Sequence, residues 1–158
     1  MFQVGDKIVH PMHGAGIIDR IISQKINGVV RDYYMMKLPV GGMVVMIPTE
    51  NSDEIGVRAI VAPDEAEKVM KEFPNIQVDM TPNWNHRYRE NMLRLKSGDL
   101  HEVALVVKGL MIRDENRGLS TGERKMLHSA KQILLSELVL AVSITYEEAE
   151  ERINTAMQ

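Results

Sequence analysis

The first residues along the chain with chemical potential are the histidines of His10-Pro11-Met12-His13-Gly14, since imidazole and thioether can ligate copper or nickel. No carboxylate or third histidine adjoins them, and Pro with Gly at this spacing suits a strand end and a tight loop. No metal is expected. Gly14-Ala15-Gly16 lacks the third glycine and the following helix of a dinucleotide loop, and no Gly-Lys-Ser or Gly-Lys-Thr occurs, so it reads as a turn. The pairs Asp53-Glu54 and Asp114-Glu115 stand in charged surroundings and read as solvated surface. Ser120 is not framed by Gly-x-Ser-x-Gly and reads as a helix cap rather than a nucleophile. A methyl-lysine cage needs two or three rings together. Tyr33 and Tyr34 are neighbours in a strand and face opposite sides, and Phe2 is the only other aromatic in residues 1–60. Cysteine is absent, which excludes thiol catalysis, disulfides and Cys-ligated metal centres. Nothing here organises a reaction, and no cofactor is expected.

One constellation does suggest binding. In Thr81-Pro82-Asn83-Trp84-Asn85-His86-Arg87-Tyr88-Arg89, Pro82 restrains the approach, Asn83 caps a helix, and Trp84 falls on its first turn. A helix amino terminus carries unbonded N–H groups and partial positive charge, both suited to phosphate. Arg87 and Arg89 follow within two turns. An indole beside cations at a helix start is what a duplex-wedging protein needs: the cations hold the backbone and the ring abuts or unstacks bases in the minor groove. The same ring would also serve as packing between two domains, and the residues alone leave both readings open.

The elements that must position these residues fall into two halves. Residues 7–9, 17–22, 29–38 and 43–47 are β-branched or apolar runs separated by turn signals, and residues 57–61 would supply a fifth strand. Asn27-Gly28 is the strongest turn signal, because a two-residue type I′ hairpin needs positive φ twice. Five short strands in sixty residues predict a small Tudor-like or SH3-like barrel. From Pro63 onward the periodicity is helical. Asp64 with Glu67, Asp99 with Glu102, Ser120 with Glu123 and Thr145 with Glu148 are spaced as capping boxes. Phe73-Pro74, Ser97-Gly98 and Gly118 read as stops. Leu100, Val103, Ala104, Val107, Leu110 and Met111 form one helical face, and Met126, Leu127, Ala130, Ile133, Leu134, Glu137, Leu138 and Ala141 lie near one stripe of the next long helix. The fold class expected is α+β in two domains, a five-stranded Tudor-like barrel over residues 1–60 and an all-helical domain over 61–158.

Composition agrees with a folded protein: of 158 residues, 44% are hydrophobic, 26% charged and only 4% aromatic, with twelve methionines to fill an aliphatic core. No apolar run is long enough to span a bilayer, and the amino terminus lacks the charged leader and apolar stretch of a signal peptide, so a cytoplasmic location without membrane contact is expected. The formal net charge of −3 alone argues against a nucleic-acid binder. Residues 84–131, however, hold ten Lys or Arg against six acids, a local +4 that leaves −7 on the remainder. Screening at physiological salt makes such a zone able to meet phosphate on an acidic protein.

Val4-Gly5-Asp6-Lys7-Ile8-Val9-His10-Pro11-Met12-His13-Gly14 resembles the opening signature of the CarD/CdnL family of bacterial transcription regulators. The family's helical half is matched by Asn83-Trp84-Asn85-His86-Arg87-Tyr88 and by Gly118-Leu119-Ser120-Thr121-Gly122-Glu123-Arg124-Lys125-Met126-Leu127, in order and at the right spacing. The resemblance implies an amino-terminal domain that binds the RNA polymerase β subunit and a helical domain that contacts promoter DNA, independently of its sequence, just upstream of the melted region. It assigns Trp84 to a minor-groove wedge, Arg87, Arg124 and Lys125 to the DNA backbone, and Lys25, Met35, Met46 and Pro48 to the polymerase side; the residues around the helix start add Asn83 and Arg89 to the expected DNA side. Where some relatives carry Arg, this chain has Gln24 and Met46, and His86 replaces a commoner Arg. A monomer is expected, with a strand-swapped dimer open to an exposed sheet edge. A sequence-specific repressor and a protein-only interaction module are the other classes to weigh.

Overall fold

The computed structural model describes residues 1–39, 41–78 and 82–157. Val40 of the expected turn after Pro39, and Thr81 ahead of Pro82, lie outside the described residues. The first half is an antiparallel sheet of five strands: β1 (Lys7–His10), β2 (Gly14–Ile26), β3 (Val29–Lys37), β4 (Val44–Pro48) and β5 (Arg58–Ala59), in the order β4-β3-β2-β1-β5. Asn27 and Gly28 take φ of 53° and 81°, so the β2–β3 hairpin closes through the two left-handed residues that its sequence called for, with Ile26 opposite Val29. Ile47 from one edge strand and Val57 beside the other share a single core with Ile8, Ile18, Tyr34 and Met36, so the sheet curls around its own apolar face.

Three local expectations are corrected. Gly14-Ala15-Gly16 is not a turn but the start of β2, and residues 11–13 make the turn instead. A Cβ on Gly16 would lie 2.6 Å from Met36 Cγ and 2.7 Å from Lys37 O, and one on Gly14 2.5 Å from Ser136 Oγ. These glycines permit close approach of a neighbouring strand and a helix. The fifth strand is shorter than residues 57–61, and a one-turn helix, α1 (Ser52–Ile55), precedes it and ends at left-handed Gly56. Finally, Asp64 does not cap the next helix. α2 (Pro63–Glu72) starts from extended Ala62 with Pro63 in its first turn, where a residue without an N–H leaves one fewer donor to satisfy. Glu67 pairs with Arg152 instead, at 3.0 Å.

A 3-10 turn over Phe73–Asn75 follows α2, and four further helices complete the chain: α3 (Trp84–Lys96), α4 (Leu100–Arg117), α5 (Thr121–Val142) and α6 (Tyr146–Ala156). The expected caps form at all four, through Asn83, Asp99, Ser120 and Thr145, each accepting from a first-turn N–H. Gly118 ends α4 at φ 77° but with extended ψ of 168°, so it turns the chain out rather than into a left-handed stop. The predicted apolar stripes of α4 and α5 bury together in a second core with Ala66, Val69, Phe73 and Leu95, except that Met111 and Leu127 pack against it only partly buried. Two separate cores make this an α+β protein of two domains. No single described helix is long and apolar enough to cross a membrane.

The halves meet along α5 and β2. Ser136 Oγ accepts from Ala15 N at 2.9 Å and Gly14 lies against it. Next to it, Glu137 is 1% exposed and takes both Arg58 guanidinium nitrogens, at 2.7 and 2.8 Å, together with the Val61 N–H at 2.9 Å. Arg58 Nε donates to Gly98 O at 2.9 Å, so one arginine ties β5 to two helical segments. A bidentate pair of planar groups restrains rotation as well as distance.

Candidate nucleic-acid interface

Asn83 Oδ1 accepts from His86 N at 3.0 Å, which starts α3 and sets Trp84 in its first turn. The indole is neither free nor sealed between the domains. It is 42% exposed, stacks on Tyr88 at 5.2 Å and 20°, and its Nε1 donates to Ser120 Oγ at 2.9 Å. Gly122 of α5 lies beside both rings: a Cβ there would sit in ordinary contact, 3.5 Å from Trp84 Cζ2 and 3.8 Å from Tyr88 Cε2. The polar end of the indole is thus satisfied on the protein, and a large part of its apolar surface is left to solvent.

Arg87 points the other way, against the expectation that it reaches DNA. It is 1% exposed, with Nε and Nη2 donating to Glu123 Oε2 and Oε1 at 2.7 and 3.1 Å and Nη1 donating to Pro82 O. Its position on α3 explains this, because Arg87, Asn91 and Leu95 recur every four residues and form the buried face. Arg113 Nε lies 3.8 Å from Glu123 on the same side. Burial pushes the Glu123 carboxyl up, but hydrogen bonding and charge from Arg87, the charge of Arg113 and a hydrogen bond from Ser120 outweigh it and hold the carboxyl below its ordinary value. Arg87 is therefore the strut between α3 and α5.

The consequence is geometric. The first turns of α3 and α5 are joined twice, by Trp84 to Ser120 and by Arg87 to Glu123, so two positive helix ends lie side by side under the indole. Exposed Arg124 and Lys125 stand on the first turn of α5, and exposed Arg89 on the second turn of α3. Asn83 is exposed, with its carbonyl oxygen engaged in the cap. His86 pairs with Glu90 at 2.8 Å, which reduces the charge available there. Sequence reasoning missed Ser120 as the partner of the indole, because its spacing to Glu123 already accounted for it as a cap.

The residues assigned to polymerase divide. Met35 and Met46 are directly opposite in the β3–β4 ladder, and Pro48 follows opposite Tyr33 on the edge strand. Met46 is 36% exposed. Lys25 stands apart near the hairpin tip, five residues along β2 from Arg20, the partner of Met35. At strand rise that is about 17 Å. The exposed apolar residues Ile26, Val29 and Val30 surround it.

Residues 2–61 match the CarD-like/TRCF RID domain, and residues 68–154 match the C-terminal domain of CarD. The chain belongs to the CarD/CdnL family. Over 145 residues this family member is 36% identical to the Bacillus subtilis (strain 168) protein named "Putative transcription factor YdeB", across 92% of this chain and 95% of that protein. The match runs through both halves, so the sheet and the indole-bearing helices of this CarD-type chain share one family context.

Proposed function

We propose that this protein, a transcription regulator and not an enzyme, binds the RNA polymerase β subunit through its sheet and stabilises the promoter open complex through its helical domain. The observation that supports the reading is the half-exposed indole of Trp84, fixed where the amino termini of α3 and α5 meet, with exposed Arg124 and Lys125 near the start of α5. Cations and helix ends meet phosphates without reading sequence, while the ring lodges in the minor groove at the upstream edge of melted DNA.

Tethering to polymerase raises the local concentration of an otherwise weak DNA binder. A contact that exists only on distorted DNA then shifts the closed–open equilibrium by its differential affinity. Roughly 1–3 kcal/mol from one aromatic on a base corresponds to a shift of about 5- to 150-fold. The edge pair Met35 and Met46, with Pro48, is the polymerase side of this reading, and Lys25 a separate outlying contact. Arg87 has no place on the DNA side.

The deciding experiment is open-complex lifetime with purified polymerase. Trp84→Ala should shorten the lifetime at a responsive promoter several-fold and leave polymerase binding intact, because the ring is half outside the fold. A lifetime equal to that of the unchanged protein removes the wedge.

A further inference from the structure

A shallow groove of about 400 Å³ runs along the outer face of α3, away from the buried Arg87–Leu95 side. Trp84 and Tyr88 form one end, Met92 and Leu93 continue it, and Arg89 and Lys96 stand on its rim. Leu93 is 64% exposed and Trp84 42%, so the lining is an apolar patch open to solvent. None of the lining residues is acidic, and Glu90 lies outside the groove with His86 as its partner.

We propose that this groove takes unpaired bases of one strand of melted DNA, Trp84 and Tyr88 serving as a stacking platform and Met92 and Leu93 as its apolar continuation. The inference rests on the DNA-binding reading above and extends it from a wedge in paired DNA to capture of a single strand. Three features select this occupant. The stacked aromatic pair offers a π-face, which any base can use irrespective of sequence. The rim carries only positive charge, at positions seven residues apart on one helix, matching a phosphate backbone and not an acidic-and-basic protein surface. Trp84 itself lines the groove, so a base displaced at the indole meets it next. Paired DNA buries its base faces and cannot fill it. The groove therefore adds affinity for the open state alone.

The sole tryptophan makes the test direct, since fluorescence excited on the red edge, where tyrosine does not absorb, reports on Trp84 only. The full-length protein is titrated with a short oligothymidylate, with a fully paired duplex, and with the same duplex carrying a central unpaired bubble. The unchanged protein should bind the single strand and the bubble with quenching of the indole. Leu93→Asp, at a position outside the core, should lose about tenfold on both while duplex affinity stays within about twofold. Leu93→Asn should fall between, separating lost apolar contact from added charge. Equal losses on all three probes, or an oligothymidylate affinity untouched by Leu93→Asp, would overturn the groove while leaving the wedge standing. An unchanged protein that binds none of the probes at low salt would overturn the DNA-binding reading, and the groove with it.

Discussion

Trp84 Nε1 and Glu123 N converge on one oxygen, Ser120 Oγ, at 2.9 and 3.2 Å. A single hydroxyl thus starts α5 and orients the indole of α3. The ring is presented by two helices at once, which is why it stays outward instead of folding onto the apolar surface beside it.

Ser120→Ala should remove both bonds. Loss of the cap costs about 1 kcal/mol, which in a protein of this size lowers Tm by roughly 2–4 °C. The indole should also rotate more freely, seen as lower fluorescence anisotropy, and Ser120→Thr should restore much of both. An alanine variant whose anisotropy matches the parent would show that stacking on Tyr88 suffices.

The Arg87–Glu123 pair should make itself felt in stability, not in DNA affinity. Arg87→Ala strands a buried carboxylate and should cost roughly 3–5 kcal/mol. Because the folded-state pKa of Glu123 lies below its ordinary 4.5, its contribution is complete above that pH and is lost as pH falls through the folded value. Denaturant unfolding at stepped pH should therefore show stability declining on the acid side of 4.5, and Glu123→Gln should flatten that decline. Glu67, held low by Arg152, acts in the same direction. Its pair is on the surface, so added salt should weaken that part alone. A Glu123→Gln variant with the parent's acid limb would overturn the assignment.

Cutting the joint between the halves should loosen their relative orientation. Glu137→Ala leaves Arg58 and the Val61 N–H without their acceptor and should cost about 3 kcal/mol. Small-angle scattering should show a broader distribution of shapes at temperatures where both cores remain folded. An unaltered scattering profile would mean that Ser136 and Gly14 hold the halves without it.

Met46→Glu puts a charge on the edge strand opposite Met35. The side chain already reaches solvent, so the sheet should keep its Tm within a few degrees while β-subunit binding weakens about tenfold or more. Normal recovery of polymerase in a pull-down would move the contact elsewhere on the sheet.

Local signals were read well from the sequence because local physics governs them. Asn27-Gly28 specified its hairpin, and Asn83, Asp99, Ser120 and Thr145 each found the first-turn N–H expected of them. What stayed hidden depends on partners far along the chain. Gly14 and Gly16 look like turn glycines until Ser136, Met36 and Lys37 are brought against them. Arg87 counts as one of ten cations in a basic stretch, but Glu123, thirty-six residues on, draws it inside. Glu137 falls on the buried stripe of α5, but nothing nearby in the sequence names Arg58 as its partner. Of the candidate site, the indole and the surface cations were legible and the struts beneath them were not.

The bidentate Arg58–Glu137 joint has one more implication. If the sheet sits at a fixed place on the enzyme, the indole can act at only one distance along the promoter, as the second jaw of a caliper does. DNA whose melted edge falls a base pair out of step must then twist to meet it, and that torsional cost, more than any reading of bases, would rank promoters by their response.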